Sequence, residues 1–322
     1  MIIYYLYRVL PGKEIIMKKS IQKLLMAAFV MAATLILAPS VDAKAYGITQ
    51  VNPATDSITM TWTAEEDAVA YNVYVGEDYS TATLCGQLPA TSTSATITGL
   101  LPGSEYYVAV KYLKLTSSGT TSEYAVGSEY DARTVPTVVT GLNQDRWWYY
   151  IKVLDVKWDN VESADSYEYE IRNAKGKKVA SGTSTYPNCE LRKVSNKMVY
   201  QVRVRATSTI CGQTFTTPWT NWAYCFHQPM IKGRHNGGSI SISWGKITGA
   251  TGYDVYVSAK KDSGYKKVKS LGKNKTSYTI TKCGGKKIKS NKKYYVYVVA
   301  KKKVGKTTYD SGLNYTWSFY RR

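Results

Sequence analysis

SISISWGKITGATGYDVYV, from Ser239 to Val257, is the stretch that decides the fold. Ile240, Ile242 and Trp244 alternate onto one face of a strand, a Gly/Thr turn follows, and Tyr253, Val255 and Val257 repeat the alternation in a second strand. The same phrase occurs twice more. SITMTW ends at Trp62 and AYNVYV carries Tyr71, while VLDVKW ends at Trp158 and SYEYEI carries Tyr167. In every copy the Tyr stands nine positions after the Trp, so the chain is a tandem repeat.

A third marker follows in each copy: Tyr106, Val108 and Val110; Tyr200, Val202 and Val204; Tyr294, Val296 and Val298. About seven short alternating strands per copy, separated by Gly, Ser, Thr and Asn turns, predict an all-β chain of two-sheet sandwiches. The Trp on the second strand, the Tyr opening the third and the corner phrase GLLPGSEYYVAV, around Leu100, Pro102, Gly103 and Tyr106, resemble the fibronectin type III family. An immunoglobulin domain would place its Trp on the third strand between paired cysteines. The resemblance implies three consecutive immunoglobulin-like sandwiches, at residues 44–135, 136–227 and 228–322. The joints at Thr134–Pro136 and His227–Pro229 are short, which predicts an extended rod rather than flexibly strung beads. Two corners depart from the pattern: VSNKMVY lacks the Pro and Gly, and CGGKKIKSNKKYY inserts residues and puts Cys283 where Leu100 and Val194 stand.

Ahead of the repeats, MKKSIQKLLMAAFVMAATLILAPSVDAKA begins at Met17 with three lysines, an apolar run and small residues at Val41 and Ala43, the pattern of a secretory signal. The run from Leu24 to Leu37 is shorter than the ~18 residues a membrane span needs, so no transmembrane anchor is expected. Residues 1–43 are therefore set apart from the fold. Lys13 and Glu14 are encodable as a ribosome-binding site, which makes Met17 the expected start and the source bacterial, with a secreted, non-covalently wall-associated product.

Five cysteines cannot all pair with one another, and Cys189 and Cys283 fall at inward positions, so buried thiols are expected rather than a disulfide framework. No C-x-x-C occurs and the two histidines, His227 and His235, lie near a joint, so neither a metal site nor a cofactor is expected. No nucleophile–base constellation assembles from these residues, and a non-enzymatic role is expected. The acidic turn Glu65, Glu66, Asp67 reads as a solvated loop, and the tripeptide Leu154, Asp155, Val156 lies in a strand with its apolar members inward.

Charge separates the repeats. Residues 44–135 carry 4 basic and 10 acidic side chains, residues 136–225 carry 12 and 8, and residues 226–322 carry 22 and 3. The third copy therefore supplies a polyanion-attracting field. Lys266, Lys267, Lys286, Lys287, Lys289, Lys292, Lys293, Lys301 and Lys303 are its candidate residues. The expected partner is an anionic cell-wall or extracellular polysaccharide, with protein surfaces or a second copy of the chain as alternatives; nucleic acid is not the expected ligand.

Aromatics suggest a second chemistry, stacking on neutral sugar rings. The run RWWYY places Trp147, Trp148, Tyr149 and Tyr150 beside the second copy's Trp strand, and alternation turns Tyr256, Tyr295 and Tyr297 outward in the third. PWTNWAY puts Trp219 and Trp222 on the expected last strand of the second copy. With outward Arg203 and Arg205, and Glu168 and Glu170 opposite them, these are similar to the Arg/Trp ladder of cytokine-receptor domains, read here as structural.

Overall fold

The structure, a computed structural model, describes residues 35–36, 47–145, 153–192 and 194–321, and every regular element among them is a β-strand. The first sandwich comprises β1 (Leu35–Ile36), β2 (Thr49–Val51), β3 (Ser57–Thr61), β4 (Ala70–Gly76), β5 (Thr83–Pro89), β6 (Ser94–Thr98), β7 (Glu105–Leu115), β8 (Thr121–Ala125) and β9 (Tyr130–Arg133). Its sheets are ordered β1-β6-β3-β2 and β5-β4-β7, with β8 and β9 following one another along β7. The second comprises β10 (Asn143–Asp145), β11 (Val153–Lys157), β12 (Ser166–Asn173), β13 (Lys178–Ser184), β14 (Asn188–Arg192), β15 (Tyr200–Ile210), β16 (Gln213–Thr216) and β17 (Ala223–Cys225). Its orders are β10-β11-β14 and β13-β12-β15, with β16 and β17 along β15.

The third sandwich comprises β18 (Ile231–His235), β19 (Ile240–Trp244), β20 (Gly252–Ser258), β21 (Lys266–Gly272), β22 (Ser277–Ile280), β23 (Lys282–Cys283), β24 (Lys286–Lys287), β25 (Tyr294–Val304), β26 (Thr307–Asp310) and β27 (Trp317–Phe319). Its sheets are β18-β19-β22 and β21-β20-β25, with β26 and β27 along β25; β23 and β24 form a separate hairpin. By compactness the chain forms two units. One takes the described residues as far as Thr137 with Val161–Asp165 and Thr207–Thr216, and the other takes the described residues of Val138–Asn160, Ser166–Ala206 and Thr217–Arg322.

The nine-residue spacing works because the Trp ends a strand of one sheet and the Tyr begins a strand of the other, so both rings meet across the core. Their centroids are 5.5 Å apart for Trp62–Tyr71, 5.3 Å for Trp158–Tyr167 and 5.4 Å for Trp244–Tyr253. Such a contact adds about 0.5–1.5 kcal/mol beyond the area it buries. Tyr rather than Phe occupies the position because the hydroxyl satisfies the turn between the two strands. Tyr71 accepts a hydrogen bond from the Glu65 N–H at 2.7 Å and Tyr253 from the Ile247 N–H at 2.9 Å, while Tyr167 donates to Asn160 Oδ1 at 3.2 Å.

The corner before the long central strand is kept in all three copies. Leu101 N–H donates to Tyr106 at 2.8 Å, Ser195 N–H to Tyr200 at 2.9 Å and Lys289 N–H to Tyr294 at 3.1 Å. The residue before each donor plugs the core: Leu100, Val194 and, in the third copy, Ile288, which is 4% exposed. This corrects the placement of Cys283, which is half-buried on the inserted β23–β24 hairpin instead. Gly284 and Gly285, at φ 56° and 81°, make the two-residue turn that lets the insertion close on itself before the core position. All five cysteines are free thiols; burial pushes the Cys189 thiol up to about 12 and Cys225 up as well, so neither is a ready nucleophile.

Candidate functional site

The outward face of each sheet built on the Tyr strand carries a different polar network over a common core. In the first sandwich Glu123 gathers Asn72 Nδ2 at 2.5 Å, Tyr74 Oη at 2.6 Å and Lys111 Nζ at 3.4 Å. In the second, the Arg203 guanidinium carbon lies 4.5 Å from the Trp219 ring centroid and 4.8 Å from Trp222, and that of Arg205 lies 4.7 Å from Trp219. Arg205 Nη2 donates to Glu168 at 2.7 Å and Arg203 Nε to Glu170 at 3.0 Å. Burial pushes the Glu170 carboxyl up, but hydrogen bonds from Arg172 and Arg203 outweigh it and hold the group below its ordinary value. Arg172 completes the ladder at 5.0 Å from Trp222; it continues the Glu168, Glu170 alternation, the signal that marks it. The two indoles stand between β16 and β17, not on a strand as expected, so their rings are carried by the irregular crossing of Thr217 to Trp222.

The third sandwich has lysine and tyrosine in the same place. Tyr256 and Tyr297 are direct cross-strand partners whose rings stack at 4.6 Å and 9°, and Tyr265, from the β20–β21 connection, closes edge-on over Tyr297 at 4.9 Å. Tyr297 is consequently 8% exposed, and burial pushes its hydroxyl up to about 12. The expected open tyrosine face is corrected accordingly: Tyr297 points away from the core but is covered by Tyr256 and Tyr265, while Tyr295 is half-buried. Beside this stack Asp254, 5% exposed, takes Lys301 Nζ at 2.8 Å and Lys267 Nζ at 3.6 Å. Its burial raises the carboxyl, and the hydrogen bonds from Lys301 and Ser270 with the two lysine charges bring it below the ordinary value.

Residues 43–128 match the family model of the fibronectin type III domain. The first sandwich is a fibronectin type III domain. The second and third repeat its sheet orders, its Trp–Tyr contact and its tyrosine corner, so the chain is a tandem of immunoglobulin-like sandwiches of this type. A 176-residue stretch, 53% of the chain, is 31% identical to receptor-type tyrosine-protein phosphatase eta of Gallus gallus and covers 11% of it, so the chain spans about a tenth of that relative's length. Among solved structures, the FN1–FN3 domains of chicken CNTN1 align over 82% of this chain and 96% of their own, at 16% identity and a TM-score of 0.33. A two-domain fibronectin type III segment of chicken tenascin aligns over 55% and 95%, at 15% identity and a TM-score of 0.29.

Within the third sandwich the nine candidate lysines divide in two. Lys301 is ion-paired with Asp254 and Lys267, itself exposed, approaches the same carboxylate more loosely, so these two are partly engaged. Lys266, Lys286, Lys287, Lys289, Lys292, Lys293 and Lys303 are exposed, and no described carboxylate pairs with them. The topology brings most of these together. The edge strand β21 touches β23, and the β23–β24 register sets Lys282 directly opposite Lys287. Like charges opposed across a hairpin destabilise it, so stability does not explain this pairing. The pairing of Lys282 with Lys287 was not legible in the sequence, because it depends on where the Gly284–Gly285 turn closes.

Trp147, Trp148, Tyr149 and Tyr150 lie outside the described residues. The tripeptide Leu154–Val156 is in β11 with Leu154 and Val156 at 2% and 1% exposure, so its apolar members are not available to a partner. Asp155 between them is pushed up by burial and by Glu190 and Asp145, its partners on the two neighbouring strands.

Proposed function

We propose that this is a secreted, non-enzymatic adhesion protein whose third sandwich binds anionic polymers of a cell surface or wall. The observation that carries the reading is the β23–β24 hairpin, in which Lys282 faces Lys287 with no carboxylate beside them, on a sandwich with 22 basic and 3 acidic residues. Of those three carboxylates, Asp254 is engaged by two lysines, Asp310 accepts from the Gly312 N–H at 2.8 Å, and Asp262 lies exposed on the β20–β21 connection rather than on the hairpin strands. The field at the hairpin is thus left uncompensated within the domain, and a polymer carrying regularly spaced charges is the ligand that offsets several lysines at once. The first two sandwiches, with internally paired outer networks, serve as spacers.

The covered Tyr256–Tyr297 stack disfavours neutral-glycan stacking on the third sandwich, because stacking on sugar needs an open ring face. The test is retention of the full chain on a glycerol-phosphate wall polymer and on a neutral glucan. Retention on the phosphate polymer only, lost on changing Lys282, Lys286 and Lys287 to Gln, supports the reading. Equal retention on both refutes it, and salt-sensitive sedimentation without any polymer would instead favour docking of the acidic first sandwich of one copy on the basic third of another.

A further inference from the structure

An open groove of about 630 Å³ lies on the third sandwich between β18 and β27, lined by Gly233, Arg234, His235, Asn236, Ser318, Phe319, Tyr320 and Arg321. The packing of β18 against β19 and β27 requires Gly233: a Cβ there would stand 2.4 Å from the Ser241 carbonyl oxygen and 3.0 Å from the Phe319 ring. Arg234 Nε donates to Asn236 Oδ1 at 3.1 Å, which fixes the guanidinium and leaves its two Nη groups with no partner among the described residues. Arg321, two residues beyond β27, lines the same groove. A side chain built at Gly237 would stand 3.9 Å from Arg321 Nη1 and 3.8 Å from Ser290 Oγ, so this guanidinium lies against the β18–β19 turn and the loop of Lys289, Lys292 and Lys293.

His235 lines the floor at 5% exposure. Gly237 N–H donates to its Nδ1 at 3.1 Å, which places the ring proton on Nε2, an atom without a hydrogen-bond partner. Neither arginine has a carboxylate partner among the described residues; Asp254 and Asp310 are engaged elsewhere. Two arginines lining one concave site match the planar, two-pronged recognition of an oxyanion better than a diffuse lysine field does.

We propose that this groove is an oxyanion subsite that takes one phosphate or carboxylate group through Arg234 and Arg321. Its biological ligand rests on the polyanion reading: the subsite holds one charged group of a polymer whose other charges lie along the adjoining lysines. The experiment is a titration of the full chain with inorganic phosphate and, separately, acetate, at ionic strength held constant with KCl. Arginine Nε–H and Gly237 amide resonances are followed in ¹H–¹⁵N spectra, whose dispersion also reports folding.

Saturable shifts of both arginines with either anion are expected, and the tighter anion identifies the class. Arg234→Lys and Arg321→Lys keep the charge but should each weaken binding about tenfold, because the two-pronged geometry is lost. Lys286→Gln with Lys287→Gln should lower retention on the wall polymer, while the saturable arginine shifts with phosphate persist. A linear drift with both anions, or lysine variants that bind as well as wild type, overturns the subsite even if the polymer still binds. Saturable phosphate binding without polymer retention would instead sustain the subsite and sink the polyanion reading.

Discussion

Replacing Asp254 with Asn removes the one carboxylate between two lysines, Lys301 and Lys267, beside the Tyr256–Tyr297 stack. Asp254 is 5% exposed, whereas the side chains of Lys301 and Lys267 are 28% and 50% exposed, so the pair is intermediate between buried and surface ion pairs. Breaking a fully buried pair costs about 3–5 kcal/mol and an exposed one about 0.2–1 kcal/mol. The Lys301 contact at 2.8 Å, discounted for screening, and the looser Lys267 contact at 3.6 Å together give about 2 kcal/mol. Local opening of β20 should therefore become about thirtyfold more frequent. Hydrogen exchange of peptides covering Gly252–Ser258 in the full chain reads this directly.

The pH dependence has a definite sign. Because the folded Asp254 carboxyl lies below its ordinary value, its stabilisation is present above the unfolded pKa of about 3.9 and is lost as pH falls through the folded value. Wild-type protection should decline in that acid window more than that of the Asn variant. Unchanged exchange in the variant at neutral pH, or identical acid profiles, would refute the assignment of Asp254 as the charge that organises this face.

Arg203→Lys should destabilise the second sandwich by about 1–2 kcal/mol in urea titrations followed by Trp fluorescence, since an ammonium cannot stack between Trp219 and Trp222 while bonding Glu170. Asp155→Asn should stabilise the same sandwich by about 0.5 kcal/mol by interrupting the cross-strand row Asp145, Asp155, Glu190. Its raised carboxyl means that the wild type loses stability as pH rises from about 4 through the folded value, a slope the variant should lack in thermal melts. Ile288→Ala should lower the stability of the third sandwich by about 2–4 kcal/mol, whereas Cys283→Ser should change it by less than about 0.5 kcal/mol, as measured by hydrogen exchange in β25.

Alternation and spacing revealed what depends on neighbours along the chain. Trp244 and Tyr253 are nine apart and their meeting requires only that one strand end and the next begin, which the sequence states openly. The Arg203, Arg205, Glu168 and Glu170 set was legible for the same reason, two strands of period two in a common register. What escaped depends on registers and crossings that no local period encodes. Tyr297 is covered by Tyr265 from a connection rather than a strand, and the pairing of Lys267 with Tyr256 follows a bulge after Val255 that shifts β21 by one residue. Ile288 holds the core position because a Gly–Gly turn absorbs the insertion upstream of it, a choice invisible to residue counting from Cys283. The Arg234–Arg321 groove joins residues 87 positions apart through the meeting of β18 and β27, which no local period encodes.

The central claim is that the lysine hairpin of the third sandwich binds a polyanion, and the salt dependence of binding to a glycerol-phosphate polymer tests it most directly. Plotting log K against log salt for the wild type and for the Lys282→Gln, Lys286→Gln, Lys287→Gln triple variant should give a steep wild-type line. The variant's slope should be shallower by about 2–3, from roughly 0.7–0.9 per charge released by analogy with nucleic acids. Parallel lines for the two proteins, or wild-type affinity independent of salt, would contradict the account.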